Sequence, residues 1–99
     1  MAATSTVIIP SGSTDPHMVS VSAGRSITLG MEFPVDGTYN VVAYLYSASA
    51  KPTRILHILE EGLTEGYCKS AIGSYAEIGF QFTAASSTDT EFESLGASK

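Results

Sequence analysis

Hydrophobic and polar positions alternate along most of this chain with the period of an extended strand. Residues 26–33 place Ile27, Leu29, Met31 and Phe33 on one face and Thr28, Gly30 and Glu32 on the other. Residues 75–84 repeat the pattern, with Ala76, Ile78, Phe80 and Phe82 inside and Glu77, Gly79 and Gln81 outside. Both read as half-buried strands. Residues 38–47 lie between them in sequence and differ. Tyr39, Val41, Ala43 and Leu45 share one face, and Val42, Tyr44 and Tyr46 share the other. A strand that is apolar on both faces is covered on both, so this segment predicts an inner strand.

The remaining pattern supplies its partners. Pro34-Val35-Asp36-Gly37 is strong turn chemistry and predicts a hairpin from residues 26–33 into residues 38–47. Residues 17–22 alternate weakly, with Val19 and Val21 on one face. Residues 53–60 are ambiguous, because Ile55, Leu56, Ile58 and Leu59 also fit a helical face. The flanking Pro52 and Gly62 favour a strand. Residues 63–69 read as a short irregular strand broken by Gly66. The fold class expected is all-β: an antiparallel β-sandwich, Ig-like or jelly-roll-like, of six to seven short strands with an extended N-terminal arm. The division expected is residues 1–16 as arm or first strand, 17–85 as the sandwich and 86–99 as a polar, acidic tail. In that tail only Phe92 and Leu95 offer an anchor.

Composition narrows the function classes. The 99 residues suit one domain, and 43% are hydrophobic, which is enough for a core. Only 15% are charged, and the formal charge is −5. Arg25, Lys51, Arg54, Lys69 and Lys99 are scattered, so no cationic stripe tracks a phosphate backbone or an anionic membrane. Nucleic-acid and membrane partners are therefore not expected. The start of the chain reads as neither a signal peptide nor a membrane span, which implies synthesis in a cytoplasm. A single cysteine, Cys68, allows no internal disulfide.

Catalytic chemistry is sparse. His17 and His57 are the only histidines. Asp15 with His17 and His57 with Glu61 each share a strand face, but nothing in the sequence joins the two pairs into a ligand set. Cys68 has no glycine-rich oxyanion turn beside it, and Glu60-Glu61 point to opposite faces of a strand, unlike a glycosidase pair. The expectation is no enzyme, no metal and no cofactor. Two features point instead to binding. The β-branched triplet Val7, Ile8 and Ile9 sits in polar sequence and suits strand addition to a neighbour. Tyr39, Tyr44, Tyr46, Tyr67 and Tyr75 lie in or beside β segments, where tyrosine suits a recognition face for a subunit or a sugar.

The layout resembles the small Ig-like or jelly-roll accessory proteins of tailed-phage virions. SVSAGRSITLGMEF through YNVVAYLYS carries most of the likeness, and GLTEGYCKSAIGSYAEIGFQF resembles the closing strands. A Ser/Thr/Ala/Gly-rich arm, residues 1–13, is part of that layout, and the N-terminal arm with Asp15-Pro16-His17 is similar to the arms of lambda-type capsid-stabilising proteins, although the rest of the chain departs from their pattern. The resemblance implies a non-enzymatic virion component, for capsid decoration, cement, fibre or adaptor use. It would bind capsid or tail proteins, often as a homo-oligomer, with a trimer among the forms. The alternative is a stand-alone lectin-like or adhesion sandwich that takes a glycan.

Overall fold

The computed structural model describes residues 2–21, 27–44, 56–70 and 76–97. They form eight strands and no helix: β1 (Ala2–Ile9), β2 (His17–Ser20), β3 (Ile27–Met31), β4 (Thr38–Tyr44), β5 (Leu56–Leu63), β6 (Tyr67–Lys69), β7 (Glu77–Ala84) and β8 (Thr90–Ala97). All pairings are antiparallel. β1 pairs with β8, β2 with β7, β3 with β6 and β4 with β5, as if one long hairpin had been folded at the β4–β5 connection. Rolling that ribbon brings β3 onto β8 and β4 onto β7. The result is two four-stranded sheets, β1-β8-β3-β6 and β2-β7-β4-β5. Of the two expected layouts, this is the jelly-roll wrap of a β-sandwich.

The alternation of the sequence becomes the inside and outside of the sandwich. Ile27, Leu29 and Met31 of β3 and Ile78, Phe80 and Phe82 of β7 enter one core from opposite sheets, all six buried. Phe80 is the hub. Its ring meets Phe92 edge-on at 4.8 Å, Tyr67 at 5.4 Å and Tyr39 at 5.5 Å. β4 is covered on both faces as expected: Tyr39, Val41 and Ala43 join the core, and Val42 on the other face is also fully buried. Gly79, expected on the outside, is buried too. The backbone of β2 passes so close that a Cβ here would overlap the His17 carbonyl oxygen and lie 2.7 Å from the Met18 Cα.

The structure refines four expectations. Residues 90–97 are not a tail: β8 is an inner strand between β1 and β3, with Phe92 fully buried. Of the two readings of the N-terminal residues, arm or first strand, residues 2–9 take the second: β1 pairs with β8 over its whole length, from Ala2 opposite Ala97 to Ile9 opposite Thr90. The strands number eight among the described residues, where about six to seven were expected. Residues 63–69 are not one broken strand: β5 runs through Leu63, and Gly66 lies in the turn before β6. The ambiguous segment is strand from Leu56 onward, while residues 53–55 lie outside the described residues.

Candidate interaction surface

A sandwich has four sheet edges, and each edge strand exposes unpaired backbone that another chain can pair with. Here the edges are β1 and β6 of one sheet and β2 and β5 of the other. They are protected to very different degrees.

The β5–β6 side is closed by side chains. The Tyr67 hydroxyl donates to Glu60 Oε2 at 2.6 Å, and Lys69 Nζ reaches the same oxygen at 3.0 Å. These bonds tie the edge of one sheet to the edge of the other. They also hold the Glu60 carboxyl below its ordinary pKa, the tyrosine bond contributing most and the lysine next. The Tyr39 hydroxyl donates to the Glu65 carbonyl in the turn between the two strands. Burial, with the nearby Glu60 charge, pushes its pKa up to about 12. Burial likewise raises Tyr67, reinforced by the bond to Glu60. β5 is further irregular: its register to β4 shifts twice, and Gly62 sits at φ 71° with its N–H donated to Asn40 Oδ1 at 3.0 Å. Bulges and acidic residues of this kind block strand addition. β6 itself is only three residues long.

The β1–β2 side is different. β2 is four residues long and begins directly after Pro16. β1 runs for eight residues, AATSTVII, with no charge, no proline and no register shift. Among the described residues it pairs on one side only, with β8. Its inward positions Val7 and Ile9 pack on the core. Two of its outward positions are open: Thr6 is exposed and Ile8 is 56% exposed. Beside them on β8 stand the exposed Glu91, Glu93 and Leu95.

Loop contacts hold the end of β1 in place. The Ser11 N–H donates to Asp89 Oδ1 at 2.8 Å, and the Gly12 N–H to the Ser86 carbonyl at 2.9 Å. Asp36 in turn accepts from the Ser87 N–H at 2.8 Å and the Ser86 hydroxyl at 3.1 Å. The Ser87 backbone bond is the main reason its carboxyl sits below the usual range. The edge is therefore presented on a braced scaffold and needs little ordering before it pairs.

Comparison with protein-family models, with curated proteins and with solved structures gave no match.

The residues singled out from sequence do not form one face. Val7 and Ile9 point into the core, and only Ile8 of the triplet is free to touch a partner. Tyr39 is fully buried and Tyr67 half-buried, both on the core side. Tyr44 is half-buried on the opposite face of its sheet. Tyr46 and Tyr75 lie outside the described residues. Tyr39 and Tyr67 thus cross-brace the sandwich, and Tyr44 does not share their face. His17 Nδ1 hydrogen-bonds the Asp15 carbonyl at 2.9 Å, and His57 lies on β5 opposite Ala43. Cys68 is exposed on β6 opposite Gly30. Among the described residues no three His, Cys, Asp or Glu side chains gather as a metal site, and no helix is long and apolar enough to cross a membrane. The residue that sequence reasoning passed over is Thr6. The only signal for it was a neutral run of eight residues with neither lysine nor proline.

Proposed function

We propose that this protein is a non-enzymatic assembly component, of the virion accessory type, that works on capsid or tail proteins and assembles by strand pairing along β1. The observation that carries this reading is the contrast between the edges. Three are short, bulged, proline-flanked or bridged by side chains, and the fourth is long, neutral and, among the described residues, unpaired on its outer side. Proteins that must stay apart protect their edges, so a regular open edge fits a protein that pairs. Two properties agree with it. A charge-poor chain lowers the desolvation cost of a broad contact. The jelly roll is an architecture of capsid domains, although it also serves lectins, so the fold alone does not decide.

Thr6→Lys is the diagnostic change. Thr6 is exposed and lies opposite Glu93, so a lysine there is tolerated in the isolated domain and can even pair across the strands. It would place a charge on the free edge, as natural edge strands do. In co-sedimentation with assembled capsids and tails, the wild-type chain should pellet at a fixed stoichiometry and the folded Thr6→Lys protein should stay in solution. A wild-type protein that ignores both particles but retains glycans on an array would overturn the virion reading in favour of a lectin-like module.

A further inference from the structure

We infer that the occupant of the β1 edge is the β1 edge of a second copy of this chain, paired antiparallel about a two-fold axis. The inference rests on the assembly reading above and names the partner that the strand itself fits. A two-fold that joins two antiparallel edge strands stands perpendicular to the sheet. It therefore keeps the core faces of both copies on the same side. Opposed residues must then both be inward or both be outward, which leaves few registers.

Centring the axis on Thr6 opposes Thr6 to Thr6, Ser5 to Val7, Thr4 to Ile8 and Ala3 to Ile9. Each bulky residue of the second half of β1 then meets a smaller one from the first half, and every β-branched residue finds an opposite number within the strand. At the Thr6 register Pro10, which has no N–H, stands only at the very end of the ladder, opposite Ala2; centring on Val7 would carry it inward, opposite Thr4. Centring on Ser5 would leave Ile9 opposite a residue beyond the strand. The Thr6 register joins the sheets into one of eight strands, β6-β3-β8-β1 running on into its symmetric copy.

Charge does not oppose this pairing strongly. The outward row through the axis reads Glu93, Thr6, Thr6, Glu93, since Glu93 is the register partner of Thr6. Three strand spacings separate the two carboxylates, roughly 14 Å. That exceeds the screening length of about 8 Å at physiological salt. The residual repulsion predicts tighter dimerisation as salt is raised from low to moderate.

The test uses the full chain. Light scattering across a concentration series should show a monomer–dimer equilibrium that Thr6→Lys shifts to monomer while the β-type circular dichroism stays the same. With Cys68→Ser removing the native thiol, Thr6→Cys should oxidise to a covalent dimer, because opposed Cα atoms on paired strands lie about 4.5–5.5 Å apart, within disulfide reach. Ile8→Cys should not, because the two-fold offsets that position from its own copy by four residues, about 13 Å. A wild-type chain that is monomeric at every concentration overturns the inference. So does a dimer that survives Thr6→Lys, or equal cross-linking at positions 6 and 8. If the wild-type chain is monomeric yet still sediments with capsids or tails in a Thr6-dependent way, self-pairing fails and the edge reading stands; if that sedimentation is absent too, both fail.

Discussion

Truncating Phe92 to alanine tests the placement of β8, the element whose role differs most from its sequence. In a polar tail this change would cost almost nothing. In the structure Phe92 is fully buried, lies opposite Val7 of β1 and Met31 of β3, and meets Phe80 edge-on at 4.8 Å and 75°. Removing a buried phenylalanine side chain costs about 3–5 kcal/mol from lost transfer energy and the cavity left behind. The upper half of that range applies, because hydrogen-bonded strands on both sides limit collapse and an edge-to-face pair worth about 0.5–1.5 kcal/mol disappears. Against a total stability of about 5–15 kcal/mol, the variant should be marginal. With a urea dependence of about 2 kcal/mol per molar, the midpoint should fall by roughly 2 M. Leu95→Ala is the control from the same strand: that side chain points outward and is 44% exposed, so its loss should stay within about 0.5 kcal/mol. Equal, negligible shifts for the two variants would show that β8 is not packed between β1 and β3, and the sheet order would be wrong.

Thr90→Val should raise stability by about 1 kcal/mol, because Thr90 is buried and its Oγ1 has no hydrogen-bond partner among the described residues. For a domain of this size that is a rise in Tm of about 4–8 °C, and an unchanged or lower Tm would mean the hydroxyl is satisfied. Acid should destabilise the fold through Glu60 and Asp36. Both carboxyls are depressed in the folded state, so their contribution is present above the ordinary carboxylate range and is lost as pH falls through it. Urea midpoints should be flat from neutrality to about pH 5 and fall below that, and Tyr67→Phe should shrink the drop by removing a donor to Glu60. At the alkaline end Tyr39 works the other way. Its raised pKa contributes stability that is fully present below about pH 10 and is lost as pH climbs towards about 12.

Strands whose inward residues are large were legible in the sequence. β3 and β7 alternate with Leu, Met, Ile and Phe, and β4 is apolar on both faces; the structure buries those same residues. β8 alternates as regularly, but its inward residues are Thr90, Phe92 and Ser94, only one of them large, and its outward Glu91 and Glu93 give it the composition of a tail. β1 was half legible. Of residues 2–5 only Thr4 favours a strand, so their strand state comes from pairing with β8, a partner some ninety residues away in sequence. The tyrosines misled for a related reason: the partners of Tyr39 and Tyr67 are a turn carbonyl and a carboxylate on a neighbouring strand. Such contacts depend on strand order, which no local pattern encodes. The free edge of β1 was hidden likewise, since an edge exists only once the order β1-β8-β3-β6 is known.

Amide hydrogen exchange along Ala2–Ile9, followed by NMR in dilute and concentrated protein, tests the β1 edge most directly. In an edge strand, amides that point to the paired neighbour are protected and those that point away exchange freely. The dilute chain should therefore show protection at every second residue of β1, and concentration should protect the remaining ones. Fast exchange at all eight positions would mean that residues 2–9 are an arm after all. An alternating pattern that neither concentration nor added capsids changes would mean that the edge is open but nothing pairs with it.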